Sequence, residues 1–125
     1  MTPKVAETAN AWHFGTVLIY KILLPAEWAA FEAADRFDGS PFDHSSGYIH
    51  CSSREQVGAT AARFFADELA LIIVALDAER LGSHLRWEQA PEGGSFPHVY
   101  APLPSDAVVA VHHVAGAATV DETVG

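Results

Sequence analysis

The sequence predicts a small α+β domain, and three observations support this. The chain has 125 residues, which suits one domain. Half of them are apolar, enough for a buried core. Both strong helical patterns come early, whereas strand patterns fill the second half, which favours a split antiparallel or mixed sheet over a doubly wound parallel one. We therefore expect a single domain over residues 1–125, with an ordered core at about 16–114 and flexible N- and C-terminal tails.

The first half is predicted to alternate two strands with two helices. Residues 16–23 are rich in β-branched and aromatic side chains, which is typical of a strand. Pro25 suits the first turn of a helix, which should end near Phe37 because a turn sequence follows. Residues 47–52 are predicted to form a short strand. A capping-box pattern at Ser53 then begins the second helix.

The second half is predicted to be mostly strand. Residues 69–77 are apolar on both faces, as expected for a central strand covered on each side. Residues 78–81 indicate one helical turn. Residues 84–88 alternate between polar and apolar side chains, which suggests a half-exposed strand with Leu85 and Trp87 facing inward. The last strand is expected at 107–114.

Charge and cysteine content exclude several classes of protein. A net charge of -9 without a basic cluster argues against binding to nucleic acid or to an anionic membrane surface. The longest apolar run has eight residues, too short to span a bilayer. A lone cysteine and no apparent signal peptide favour a cytoplasmic location. We expect a monomer or weak homodimer that binds a small molecule.

Strand parity indicates a candidate site, because alternate residues of a strand share a face. Tyr48, His50 and Ser52 share one such face, and His98 and Tyr100 share another. In the strand predicted at residues 84–88, His84, Arg86 and Glu88 share a polar face. If these faces converge, they form a pocket with His50, Arg86, Glu88 and His98 around it.

The two central histidines each have two interpretations. His50 is either a functional residue oriented by the carboxylate of Glu88, acting as a general base or as a hydrogen-bond partner of the substrate, or a buried histidine bonded to a loop carbonyl. His98 is either part of the pocket or an anchor for the turn at residues 93–94.

The charged candidates also leave alternatives open. Arg86 and Glu88 form either an exposed ion pair or a recognition site for an anion or a ribose. Lys21 either extends to solvent at the strand end or contacts a ligand phosphate or carbonyl. Cys51 has the parity of a core residue and is expected to be packing.

Seven histidines raise the question of a metal site, but their spacing does not support one. No pair has the one-turn spacing of helical zinc ligands. His112 and His113 are adjacent on a predicted strand and therefore diverge. We predict no metal ligands and no certain cofactor.

Several short motifs follow one another along the chain, at residues 19–22, 26–28, 37–41, 47–52, 85–88 and 96–103. Together they resemble the bacterial family called domain of unknown function 952. The fold of that family is similar to that of the ADP-ribosyltransferases, a split α+β sheet around an NAD cleft. The resemblance implies that five residues face the ligand: Tyr20, Lys21, His50, Ser52 and Ser53.

The chain departs from the transferase pattern at two positions. Lys21 stands where the transferases commonly have His or Arg on the first strand. Their late catalytic glutamate has no counterpart in residues 107–114, so Glu88 is the candidate replacement.

Two functions follow as expectations. One is a transferase or hydrolase acting on NAD or an ADP-ribose compound, with His50 polarising or deprotonating and Glu88 stabilising positive charge on the ribose. Ser52 and Arg86 would position the substrate. The other is a non-catalytic module that binds a nucleotide or a small anionic ligand in the same pocket.

Overall fold

The computed structural model describes residues 17–91 and 93–125. The predicted N-terminal tail and the start of the first strand lie outside these residues. The α+β class is confirmed. The strands are β1 (Leu18–Leu23), β2 (Arg36–Phe37), β3 (Ile49–His50), β4 (Leu71–Asp77), β5 (Leu85–Gln89), β6 (Ser95–Val99), β7 (Leu103–Pro104) and β8 (Val108–Val114). The helices are α1 (Pro25–Ala34), α2 (Pro41–Ser46), α3 (Arg54–Phe64), α4 (Ala78–Leu81) and α5 (Val120–Val124).

The described strands form three antiparallel sheets. One has the order β1–β4–β8, a second has the order β3–β6–β5, and β2 pairs with β7. A bridge joins the two larger sheets, where Tyr20 and Ser52 exchange backbone hydrogen bonds of 2.8 Å in both directions. This bridge brings β1 beside the segment that follows β3.

Strand β4 lies at the centre of the first sheet, as its apolar sequence predicts. Its residues from Leu71 to Leu76 are all buried. Alternation divides them between two apolar clusters on opposite faces of the sheet. One cluster packs Val74 with Phe31 of α1. The other packs Ile73 with Val57 of α3.

Helix α2 was not predicted from the sequence. Its six residues follow Ser40, whose Oγ accepts a 3.1 Å hydrogen bond from the backbone N–H of Asp43. The Asp43 carboxylate accepts one of 2.9 Å from the N–H of Ser40 in return, which completes a capping box. A turn was expected at residues 38–41, so the helix that follows Ser40 differs from the prediction. Helix α1 also ends at Ala34, earlier than the expected position near Phe37, because Asp35 adopts a left-handed conformation with φ of 59°.

The C-terminal segment was expected to be a frayed tail, but it forms helix α5 against α3. Val120 is fully buried, and Arg54 Nη1 lies 2.7 Å from Asp121 Oδ1. A side chain at Gly58 would collide with the Asp121 carboxylate, so the absence of a Cβ allows this close approach.

The inward orientation predicted for Leu85 and Trp87 is only partly right. Leu85 is half-buried and packs against the first cluster, but Trp87 is 46% exposed. The difference arises because β5 lies at the edge of its sheet.

Candidate functional site

Strands β3, β6 and β5 bring the polar faces predicted by parity together. His50 lies opposite His98 across the β3–β6 pair, and Arg86 lies opposite His98 across the β5–β6 pair. Directly opposed residues of antiparallel strands project from the same face. The centroids of the two imidazole rings are 5.7 Å apart. We call this surface the imidazole face and define it by Phe42, Tyr48, His50, Arg86, Glu88, His98 and Tyr100.

His98 is held by Glu88. Its Nδ1 lies 2.7 Å from Glu88 Oε1, and the Tyr100 hydroxyl donates a hydrogen bond of 2.7 Å to the same oxygen. The bonds from Tyr100 and then from His98 hold the pKa of Glu88 below its usual range. The bond to Glu88 raises the pKa of the Tyr100 phenol. An ionised Glu88 only accepts hydrogen bonds, so the proton of a neutral His98 ring lies on Nδ1 and the lone pair on Nε2.

His50 has a different carboxylate partner from the one predicted. Glu88 was expected to orient it, but Asp43 does so instead, because the sheet order places Glu88 beside His98. His50 Nδ1 lies 2.7 Å from Asp43 Oδ1, and the His50 backbone N–H donates to that oxygen at 3.0 Å. The interpretation of His50 as a ring bonded to a loop carbonyl is therefore wrong.

Lys21 completes the same network. Its Nζ lies 3.0 Å from Asp43 Oδ2 and donates a 2.8 Å hydrogen bond to the carbonyl oxygen of His50. Lys21 was expected to extend to solvent or to contact a ligand. It does not extend to solvent, since only 6% of it is exposed and its charge is paired with Asp43.

Asp43 stays ionised although it is buried. Burial raises the pKa of its carboxyl, but the hydrogen bond from His50, the charge of Lys21 and the backbone amides of Ser40 and His50 outweigh that cost. The net result is a pKa far below the usual range. An ionised Asp43 accepts the Nδ1 proton of a neutral His50 and leaves Nε2 with the lone pair.

Asp43 and Phe42 were missed from the sequence, although a signal for them existed. Ser40, Pro41 and Asp43 have the spacing of a helix start, with proline at the first helical position and an acid at the third. The ring of Phe42 stacks on that of His50, with centroids 4.4 Å apart, yet Phe42 remains 61% exposed.

Tyr48 links the two histidines. Its ring stacks on His98 with a centroid distance of 4.1 Å and contacts His50 at 4.7 Å. Tyr100 lies 5.4 Å from Tyr48, and the guanidinium of Arg86 sits 5.0 Å from the centroid of the Tyr100 ring. Aromatic rings therefore surround both imidazoles. The alternative role of His98 as an anchor for the turn at 93–94 does not fit, since its ring bonds to Glu88.

Three residues implied by the resemblance lie elsewhere. Tyr20 packs against Val57 in the second cluster, because alternation along β1 directs it away from the side of Lys21. Ser52, which alternation placed on the face of His50, is instead buried, because β3 ends at His50, and it donates a 3.2 Å hydrogen bond to Thr60 of α3. Ser53 caps α3 as predicted, its Oγ accepting from a backbone N–H. The structure does not bring these three side chains to the imidazole face.

Cys51 is a core residue, which confirms its interpretation as packing. It is 4% exposed, and burial raises the pKa of its thiol to about 12. Within residues 17–91 and 93–125, no group of three potential metal ligands is arranged to hold an ion. No helix in the described part of the chain is long and apolar enough to cross a membrane.

A cavity of about 220 Å³ adjoins the imidazole face. Asp43, Tyr48 and Tyr100 contribute to its lining, together with residues of α2 and of the segment after β6. Neither His50 nor His98 lines this cavity. Its volume is below that of a typical drug-sized site.

The sequence profile of the family described as Protein of unknown function (DUF952) matches residues 22–111. The chain belongs to the DUF952 family. The family identified from the sequence motifs is thereby confirmed, and the matched region of this DUF952 protein includes Asp43, His50, Glu88 and His98.

Solved structures agree with this assignment. The crystal structure of protein CC0527 from Caulobacter crescentus is 45% identical, with a TM-score of 0.74, and the match covers 77% of this chain and 84% of that one. The solution NMR structure of CC0527 is 46% identical, with a TM-score of 0.68 and coverage of 75% and 81%. No curated protein matches this DUF952 chain significantly.

Proposed function

We propose that the imidazole face binds a nucleotide-like small molecule and acts on NAD or a related ADP-ribose compound as a transferase or hydrolase. This proposal rests on one observation. Each of two neighbouring imidazoles is bound to a carboxylate through Nδ1 at 2.7 Å, and within the described residues neither Nε2 has a hydrogen-bond partner. Histidines held in this way are suited to proton transfer at Nε2.

His50 is the proposed base. Asp43 orients its ring, and Lys21 neutralises Asp43, so the network is stable without a ligand. The Nε2 lone pair is then available to polarise or deprotonate an attacking hydroxyl group. Asp43 and Lys21 are positioning residues, because both are buried beneath His50.

Glu88 is proposed to stabilise positive charge that develops on the ribose. Its Oε1 is occupied by His98 and Tyr100, whereas Oε2 has no hydrogen-bond partner among the described residues. The side chain is 36% exposed, so a ligand can reach this second oxygen. A fixed carboxylate aimed at the reacting carbon lowers the barrier because the protein does not have to reorganise.

Arg86 is proposed to bind the phosphates of the ligand. It is exposed, lies opposite His98 on the same face, and forms no salt bridge within the described part of the chain. Stacking on Tyr100 orients its guanidinium without using its N–H donors. Ser52, expected to share this positioning role, is buried away from the face and is not included.

We further infer that β1–β4–β8 and β3–β6–β5 correspond to the split sheet of the ADP-ribosyltransferases. The isolated bridge between Tyr20 and Ser52, which joins these two sheets, supports this correspondence. Fold alone does not establish the reaction, so the proposal depends on the imidazole face.

The test is nicotinamide release from NAD by the purified protein, measured by chromatography, together with thermal shifts with NAD and ADP-ribose. We expect turnover, and a loss of at least about 100-fold in His50→Asn and in Glu88→Gln. Glu32→Gln, an exposed acid on α1, is the matched control and should retain full activity. The proposal is overturned if the purified protein shows no turnover of NAD and no thermal shift with NAD or ADP-ribose.

A non-catalytic binding module is the second candidate, and the aromatic rings of the imidazole face favour it. Phe42 and Tyr100 remain exposed on this face, which suits a ligand held by aromatic contacts. This function predicts that NAD or ADP-ribose raises the melting temperature without turnover. The shift should disappear in Tyr48→Ala and persist in Glu32→Gln.

A further inference from the structure

The imidazole face contains more proton-transfer groups than cleavage of NAD requires. Nicotinamide leaves the ribose as a neutral molecule, so that reaction needs charge stabilisation but no general acid. The structure nevertheless holds two imidazoles side by side, each with its own carboxylate. We propose that His50 and His98 act together as general base and general acid in the hydrolysis of a phosphodiester. This is a second activity of the same face, independent of the reaction on NAD.

The spacing of the two rings suits one small reacting group. They project from directly opposed positions of β3 and β6, with centroids 5.7 Å apart and planes inclined by 69°. A hydrolysed phosphodiester needs a base for the attacking water and an acid for the departing alkoxide. Both must be within hydrogen-bond reach of the same phosphate group.

The charges around the two rings assign their roles. The negative charge of Asp43 is matched by Lys21 at 3.0 Å, so an additional proton on His50 would add positive charge to a balanced pair. Glu88 forms no salt bridge with a lysine or arginine within the described residues, although the charge of Arg86, which lies over the Tyr100 ring, acts on it from a greater distance. We therefore assign the base to His50, whose carboxylate is already paired with Lys21, and the acid to His98, whose carboxylate has no such ammonium partner among the described residues. The other groups facing the rings, Phe42 and Tyr48, are uncharged.

The reaction balances without a further reagent. His50 Nε2 takes a proton from water, and the water oxygen forms a bond to phosphorus. The bond from phosphorus to the leaving oxygen breaks with its electron pair, and that oxygen takes the proton from His98 Nε2. The products are a phosphate monoester and an alcohol, and solvent returns the proton from His50 to His98. Arg86 lies on the same face, where its guanidinium can bind the non-bridging oxygens.

The experiment compares two substrates that differ in their need for an acid. Bis(p-nitrophenyl) phosphate releases a stable phenolate that leaves unprotonated, whereas a nucleoside cyclic phosphate releases an alkoxide that must be protonated. Asparagine replaces each histidine, because its amide keeps an N–H donor for the carboxylate and lacks Nε2. His113→Asn, an exposed histidine on β8, is the matched control.

We expect wild type and His113→Asn to hydrolyse both substrates. The rate of hydrolysis by His50→Asn should fall at least about 100-fold on both substrates. The rate of His98→Asn should fall as much only on the cyclic phosphate. The inference is overturned if folded wild-type protein hydrolyses neither substrate. It is also overturned if His98→Asn loses activity on both substrates equally, because that would indicate a structural role for His98. Nicotinamide release from NAD in the same samples reports separately on the proposed function.

Discussion

The two His–carboxylate pairs have the same Nδ1–oxygen distance of 2.7 Å but very different surroundings. The Asp43 side chain is 2% exposed and accepts hydrogen bonds on both oxygens from Lys21, Ser40 and His50. The Glu88 side chain is 36% exposed, and its hydrogen bonds within the described residues all end on Oε1.

This difference separates stability from ligand binding. A buried carboxylate must be fully compensated, so Asp43 has no capacity left for a ligand and serves to hold His50. Glu88 orients His98 while one oxygen still faces solvent. We therefore expect changes at the Asp43 pair to affect folding strongly, and changes at the Glu88 pair to affect chemistry.

The largest effect is expected for Asp43→Asn. Removing this charge leaves Lys21 buried without a counter-ion and weakens the cap of α2, so the free energy of unfolding should fall by about 3–5 kcal/mol. Urea denaturation followed by circular dichroism measures the change. Glu88→Gln should cause a much smaller loss, and equal losses in the two variants would refute the distinction between the pairs.

Adding Lys21→Met to Asp43→Asn provides the control. The methionine removes the unpaired ammonium group while keeping most of the side-chain volume, so part of the lost stability should return. A double variant that is less stable than Asp43→Asn would mean that Lys21 stabilises the fold through contacts other than this ion pair.

The pH dependence of stability should come from Asp43. Its pKa is lower in the folded than in the unfolded chain, so its contribution is complete above the ordinary value of 3.8 and is lost as the pH falls below it. The free energy of unfolding should decrease by up to about 1.4 kcal/mol per pH unit for this group. Asp43→Asn should lack this component, which urea titrations between acidic and neutral pH would detect.

A smaller effect is expected for Tyr100→Phe at the exposed pair. The Tyr100 hydroxyl is the main cause of the lowered pKa of Glu88, so its removal should raise that pKa towards the ordinary value. Carbon-detected NMR titration of the Glu88 carboxyl measures this directly. An unchanged titration curve would show that His98 alone determines the charge state of Glu88.

The smallest effect is expected at Cys51, which neighbours His50 in sequence but faces the core. Cys51→Val should change the free energy of unfolding by less than about 1.5 kcal/mol and leave any activity of the imidazole face intact. Because burial raises the thiol pKa to about 12, a thiol reagent should label Cys51 only after denaturation. Rapid labelling of the native protein would contradict its position in the core.

Sequence reasoning succeeded where neighbouring residues along the chain supply the information. Alternation placed Tyr48 with His50 and Arg86 with Glu88, and the capping box at Ser53 marked the start of α3. Helix α2 was missed because proline, serine and aspartate are equally typical of turns and of helix starts. Only the three-residue spacing between Ser40 and Asp43 distinguishes a helix start from a turn at this position.

The partners of the histidines could not be predicted in this way. Parity shows which residues share a face within a strand, but it contains no information on strand order. The order β3–β6–β5 places Glu88 beside His98 and away from His50. Lys21 was expected at a solvent-exposed strand end because nothing near it in sequence indicates that Asp43 packs against it.

By itself, the sequence determined the α+β class, the buried central strand β4, the core position of Cys51 and the polar faces of three strands. Those features depend on local periodicity and composition. Only the tertiary structure decided which carboxylate holds which histidine, which carboxylate is buried, and how close the two imidazoles lie. The physical reason is that burial and charge compensation arise from contacts between segments far apart in sequence, such as Lys21 with Asp43 and Glu88 with His98.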